Sequence, residues 1–314
     1  MSLNWPLLKS LGQQVYKLED YKDYKRYYVF LARCYLNQAA MAEHLAFFEQ
    51  TPLRRQLLQG TPFFVDQATR CIFYKNSTCA ERIAAIQEHL CILEELFTTE
   101  LLTKLYVDGH RVPLLLTEFE GEPLMLCLVF RDGQQKEGCL ALELIWGTNE
   151  VTATGWDSGT HVYQIMFNFA RDPYDQKLIL FVGALQGLNG GADLIKRLTK
   201  TYHGYRTKNY IFWGLRSLAQ ALEVKYIRAV TNKGYYAMNH YRYDRKLKVD
   251  LDAFWAECEG TPDSDYRFYT IPIDEHRKTM SELKPSKRAT YRRRFEFLDQ
   301  LRTTLQAGLK PYLK

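Results

Sequence analysis

Nowhere in the 314 residues do eighteen apolar residues follow one another, and without such a run there is no sequence basis for a membrane-spanning helix. The opening stretch, MSLNWPLLKSLGQQVYKLEDYKDYKRYY, has neither a continuous apolar core nor a small-residue cleavage site. Export by the usual signal is therefore not expected, and the location implied is cytoplasmic. No Cys-x-x-Cys spacing occurs among the seven cysteines; an odd number of thiols, several in apolar runs, reads as reduced and buried, with no metal site expected. Also missing are a Walker loop, a His-Glu-x-x-His helix, a nucleophile elbow and an EF-hand loop. Nucleotide triphosphatases, metalloenzymes and elbow-type hydrolases thus have no positive support. What remains, at 46% apolar and 25% charged, is an ordinary globular chain long enough for one large domain or two modest ones.

Helical periodicity dominates the first hundred residues. A short helix is expected after Pro6 and a longer one over residues 21–49, where Tyr21, Tyr24, Tyr28, Leu31 and Tyr35 step along one face. Such a stripe can serve as a binding surface, but aromatic residues at helical spacing usually pack, so burial is the expectation. Thr51-Pro52 restarts the helix and Gly60-Thr61-Pro62 breaks it. The following PFFVDQATRCIFYKNST suits short strands or an irregular linker, with Asp66 and Arg70 pairing locally. Over residues 80–106, Ile83, Ile86, Leu90, Leu93 and Phe97 predict one more helix, in which His89 is structural.

Near Asp108-Gly109 the composition turns strand-forming, which divides a helical region, 1–108, from an α+β region, 109–314. Strands over 112–119, 124–131 and 139–146 are separated by turn chemistry suited to antiparallel hairpins. In the last of them Glu143 falls among apolar neighbours; a water-facing position is expected, whereas burial would demand a partner and suit a general base. Residues 161–170 alternate like a strand, and the unbroken LILFV within 177–184 fits a central strand buried on both faces. It ends at QGLNGG, where glycines permit either a ligand loop or a plain connector.

The stretch HGYRTKNYIFWGLRSLAQALEVKYIRAVTN, 203–232, joins a basic loop, an apolar helix and a short β-prone strand. The first unpaired N–H groups of a helix favour an anion, and Arg206, Lys208 and Asn209 stand there, with Asn232 after the strand. In outline this resembles the acyl-CoA diphosphate motif of GNAT acyltransferases. Arg206 takes the first position, although Asn209 and Ile211 replace the glycines, and Ala237 and Tyr241 keep the Ala-x-x-x-Tyr spacing. The resemblance implies acyl-CoA as cofactor. If the chain is catalytic, His203 as base, Tyr241 as proton donor and Glu143 are the candidates.

GALQG at 183–187, LTKTYHGYRTKNYIFWGLRSLAQAL, KVDLDAFWAE and KRATYRRRFEFLDQL together resemble the VirK/YbjX family of Gram-negative bacteria. That resemblance implies a part in envelope stress, virulence and tolerance of cationic antimicrobial peptides, and in some members DNA-damage regulation. It implies no activity.

From His276 onward the chain holds eleven Lys/Arg against three acids, +8, while the whole chain carries +6. A helix over 287–305 would place Arg292, Arg293 and Arg294 round its exposed side, and the partners this suggests are an anionic membrane surface, placing the chain peripherally at the inner membrane, or nucleic acid. The fold expected is α+β: an N-terminal helical layer, a central mostly antiparallel sheet, a C-terminal GNAT-like strand-helix-strand unit and a long basic helix.

Overall fold

Local capping chemistry sets out the N-terminal half. In the computed structural model, which describes residues 3–130, 134–147, 151–152, 155–156, 159–239, 247 and 249–314, α1 (Trp5–Tyr16) is capped by Asn4 and α2 (Tyr21–Leu36) by Asp20. The helix expected over 21–49 breaks at Asn37, beyond which α3 (Gln38–Glu49) begins. Thr51 caps α4 (Pro52–Gly60), whose first position is the proline. The segment read as strands or linker is instead a helix, α5 (Phe63–Thr69), with Asp66 bound by Arg70 at 3.1 Å and by the Tyr16 hydroxyl. A Thr78/Glu81 capping box opens α6 (Cys79–Leu96), and a new cap at Thr98 starts α7 (Thr99–Tyr106), so the helix expected over 80–106 is two. The tyrosine stripe of α2 is exposed, against expectation.

Strands follow: β1 (Val112–Phe119), β2 (Glu122–Val129), β3 (Leu140–Trp146), the small hairpin β4 (Val151–Thr152) and β5 (Gly155–Trp156), β6 (Thr160–Arg171) and β7 (Leu178–Gly187). Then come α8 (Ala192–Thr201), α9 (Thr207–Ala221), β8 (Ile227–Val230), α10 (Leu251–Glu257), β9 (Thr261–Pro262), β10 (Phe268–Ile271) and α11 (Pro285–Leu309). Eight strands make one sheet in the order β1-β2-β3-β6-β7-β8-β10-β9. Its pairs are antiparallel apart from β7 and β8, which run parallel and are joined by the α8–α9 crossover. The α+β arrangement, the mostly antiparallel sheet, the N-terminal helical layer and the long C-terminal helix are therefore all present.

Against this sheet α9 packs on β3, β6 and β7, and α11 lies across α9 and β1. The helix expected to be apolar also takes polar side chains inside, since Arg216 and Ser217 of α9 are buried with its apolar residues. Arg216 donates to the carbonyls of Cys258 at 2.8 Å and Pro272 at 3.2 Å, which satisfies a cation that would otherwise be costly to bury. His89 is buried and fully bonded: its Nδ1 accepts from the Phe169 amide at 3.0 Å, and its Nε2 meets the Tyr106 hydroxyl at 3.0 Å. Its structural role is thus evident. The seven cysteines form no disulfide; Cys34, Cys127, Cys139 and Cys258 are buried, and Cys91 is exposed.

Candidate functional site

Between α8 and α9 the chain must reverse within five residues, and His203 and Gly204 do this with φ of +52° and +76°. The left-handed pair brings the Tyr205 amide onto the Tyr202 carbonyl at 2.9 Å and leaves the His203 carbonyl facing α11. There Arg294 donates to it through Nε at 3.2 Å and Nη2 at 2.8 Å, its guanidinium stacked 4.3 Å over the Tyr291 ring. A cavity of about 740 Å³ opens between this turn, the head of α9 and α11. His203, Arg206, Asn209 and Arg294, from two separate sequence signals, all line it. Lys278 and Lys287 add cations that were not singled out, and Glu257 and Glu275 supply acid.

The head of α9 has no side-chain cap, so its first N–H groups keep their affinity for an acceptor. Cationic charge beside it is partly spent. Arg206 pairs with Glu257 at 2.5 Å, and Lys208 lies 3.8 Å from the same carboxylate and 4.8 Å over the Phe254 ring, turned away from the cavity. The hydrogen bond from Arg206, ahead of other influences, holds the Glu257 carboxyl below its ordinary range. Two buried acceptor atoms in the wall have no hydrogen-bond partner, Oδ1 of Asn209 and Oε2 of Glu275, while the other Glu275 oxygen accepts from the Tyr205 hydroxyl at 2.9 Å. A ligand that filled this space would need anionic groups for the lysines and arginines, and donors for these two acceptors.

The other predicted residues lie elsewhere. Asn232 holds the start of α10: its Oδ1 accepts from the Leu251 amide at 2.7 Å, its Nδ2 donates to Asp250 at 2.8 Å, and its amide donates to Asp252 at 2.8 Å. Arg292 and Arg293 are exposed on α11, whereas Arg294 is withdrawn from that surface by its bonds to His203. Tyr241 lies outside the described residues.

A family profile described as "Protein of unknown function (DUF535)" matches residues 19–307. The chain belongs to that family. It is 27% identical over 277 residues to the uncharacterized protein YbjX of Escherichia coli K12, covering 87% of this chain and 80% of that one, so the VirK/YbjX resemblance holds. Two uncharacterized proteins of Haemophilus influenzae are similar as well, one 28% identical over 74% of this chain and 72% of its own length, the other 25% identical over 91% and 90%. No solved structure matches the chain.

In this DUF535 chain a second polar cluster crosses the sheet. Glu143 is fully buried, not water-facing, and its Oε1 lies 2.5 Å from Nδ1 of His161, with Arg111 Nε 3.7 Å from Oε2. Arg111 Nη2 is 3.0 Å from His161 Nε2, so both ring nitrogens are engaged. Register places Cys127, Glu143, Gln164 and Gln186 side by side on four neighbouring strands. Gln186 then reaches Glu137, whose Oε1 accepts from Gln186 Nε2 at 3.3 Å and from the Tyr235 hydroxyl at 3.0 Å. Burial raises the Glu137 carboxyl to about 7, and its Oε2 has no hydrogen-bond partner. Sequence reasoning passed over Glu137 because Lys-Glu-Gly between two strands reads as an exposed turn; nothing local marks it as buried. Among the described residues no grouping of His, Cys, Asp and Glu is suited to hold a metal.

Proposed function

We propose that the cavity at the head of α9 binds the phosphate groups of acyl-CoA and that the chain is a GNAT-like, acyl-CoA-dependent acyltransferase. The observation that carries this reading is the meeting of His203, Arg206 and Asn209 with Arg294, Lys278 and Lys287 around one cavity, beside the crossover that joins the parallel strands β7 and β8. Acyl-CoA carries both the anions and the donors that such a wall calls for: phosphates for the cations, amide and amine N–H groups for Asn209 and Glu275. The chain departs from the GNAT pattern in two respects. Asn209 and Ile211 stand where glycines would let backbone approach the diphosphate, and α8 intervenes between β7 and the loop. Side-chain cations from α11 and the segment before it would take over the charge that the backbone supplies elsewhere. His203, which lines the cavity, is the base to test. In this reading the envelope-homeostasis and antimicrobial-peptide roles implied by the VirK/YbjX resemblance would rest on acylation of an envelope component.

Ligand-induced melting shifts test the proposal. Acetyl-CoA should raise the melting temperature of the wild-type chain, and a Lys278→Ala, Lys287→Ala variant, altered at two exposed residues, should lose most of that shift. No shift at millimolar acetyl-CoA overturns it. An equal shift with inorganic pyrophosphate and with acetyl-CoA reduces the cavity to an anion site. Nucleic acid as the partner of Arg292 and Arg293 is the second reading, carried only by their exposure, and filter binding of an oligonucleotide tests it.

A further inference from the structure

Six of the nine large apolar side chains that stand exposed among the described residues belong to one helix, α2. Its four tyrosines Tyr21, Tyr24, Tyr28 and Tyr35 are between 46% and 81% exposed, with Val29 and Leu36 beside them. At 3.6 residues per turn these tyrosines fall within an arc of about 60° and run along about 21 Å of helix. The opposite face is fixed in the core through Tyr27, Phe30 and Cys34, so the stripe is held outward on a rigid element. Trp5 of α1, 6.4 Å from the Tyr35 ring, extends it. The arc next to the tyrosines carries Lys22, Lys25, Arg26 and Arg33, all exposed. The only acid in the helix is Asp23, which lies 3.5 Å from Arg26; four cations against one acid leave +3.

We infer that this face of α2 is a docking surface for an anionic lipid bilayer. A tyrosine ring is apolar along its body and polar at its tip, the chemistry that settles at headgroup depth. Val29 and Leu36 add purely apolar surface, and the adjoining cations meet anionic headgroups. Contact is peripheral, since no helix among the described residues is long and apolar enough to cross a membrane. A second copy docked through the same face would set +3 against +3, and isologous pairing offers no acidic counterpart. Single-stranded nucleic acid is held by grooves with stacking platforms. This face is a convex ridge, and its Val29 and Leu36 give a base nothing to stack on. The surface is separate from the cavity at the head of α9, so neither proposal depends on the other.

Cosedimentation of the full-length chain with vesicles tests it. Phosphatidylglycerol–phosphatidylcholine vesicles should bind the protein and pure phosphatidylcholine should bind it far less, with the difference collapsing in high salt. Replacing Tyr21, Tyr24, Tyr28 and Tyr35 by Ser should weaken binding by at least about tenfold, because it removes the apolar anchor. Replacing Lys22, Lys25 and Arg33 by Gln should cost roughly fivefold per cation at low salt, with the melting temperature retained. Undiminished vesicle binding by both α2 variants overturns the inference. Tighter binding to an oligonucleotide than to the vesicles, or a wild-type dimer by light scattering that the Ser variant dissolves, overturns it too and hands the stripe to nucleic acid or to a second copy.

Discussion

Proton binding sets Glu137 apart from the acids on the surface. Burial first, against the hydrogen bonds from Tyr235 and Gln186 that oppose it, raises its carboxyl from 4.5 to about 7. The folded state therefore holds the proton more tightly than the unfolded chain does. Stability from this group is fully present below pH 4.5 and is lost as pH rises to about 7, a loss of order 3 kcal/mol at most. His44 and His89 work in the opposite sense. Burial lowers them from 6.5 to about 4 and about 3, so their contribution is full above pH 6.5 and fades as pH falls toward those values. The two trends overlap between pH 4.5 and 6.5, which is why a variant is needed to separate them. Glu137→Gln keeps an oxygen for Tyr235 and Gln186 and removes the charge. We expect it to raise the unfolding free energy at pH 8 by about 1–3 kcal/mol and to change it little at pH 5. Urea unfolding at the two pH values measures this; an equal effect at both would mean that Glu137 is not held neutral by its surroundings.

At the scale of elements, the segment that carries Glu137 is held by a bulge. In β7 Gly183 is the extra residue between Ala184, opposite Met166, and Val182, opposite Phe167. A Cβ there would come within 1.8 Å of the Glu137 carbonyl oxygen, and one at Gly138 within 2.7 Å of the Phe167 amide nitrogen. The same segment is tied to the helical layer by Gln67, which donates to the carbonyls of Gln135 at 2.8 Å and Gly138 at 3.1 Å, and by the Phe73 amide, which donates to Lys136 at 2.9 Å. Gly183→Ala is thus expected to cost about 3 kcal/mol or more, since the obstacle is backbone and not a side-chain end that can swing aside. A melting temperature within a degree or two of wild type would show that the bulge accommodates a methyl group. Neither contact could be read in the sequence: GALQG looks like a strand end, and its partner lies 46 residues earlier in the chain. What was legible was chemistry that acts locally. The apolar run of β7, the turns between β1, β2 and β3, and the basic head of α9 all declared themselves. Helix breaks did not, because Asn37 and Thr98 cap helices that continue the same apolar stripe, and periodicity is blind to a change of direction. The same limit divided the cavity. Arg206 and Asn209 stood out beside a helix start and Arg294 in a basic run, but only the fold brings Glu275, Lys278 and Lys287 to them.

For the whole molecule the decisive feature is the continuity of the core. Buried apolar side chains from Leu8 in α1 to Leu309 in α11 belong to one cluster that passes through both the helical layer and the sheet. The last residues reinforce it: Phe97 bridges to Leu313, the Thr98 amide donates to the Tyr312 carbonyl at 2.9 Å, and the Lys314 amide donates to Leu96 at 3.0 Å. Gly308 of α11 lies so close to β1 that a Cβ would be 2.2 Å from the Leu114 carbonyl oxygen. Removing either part would expose the apolar face of the other, at about 25 cal/mol for each Å² returned to water, and neither face has another element to cover it. We therefore expect α1 to α7 and the sheet to unfold together. Hydrogen-exchange mass spectrometry along a urea gradient checks this by following peptides from both parts. Loss of protection at one common urea concentration is the expected result. Separate midpoints for peptides before and after residue 108 would support a helical region, 1–108, and an α+β region, 109–314, as independent units, and would place the coupling through Gln67 and the C-terminal residues below the cohesion of each part alone.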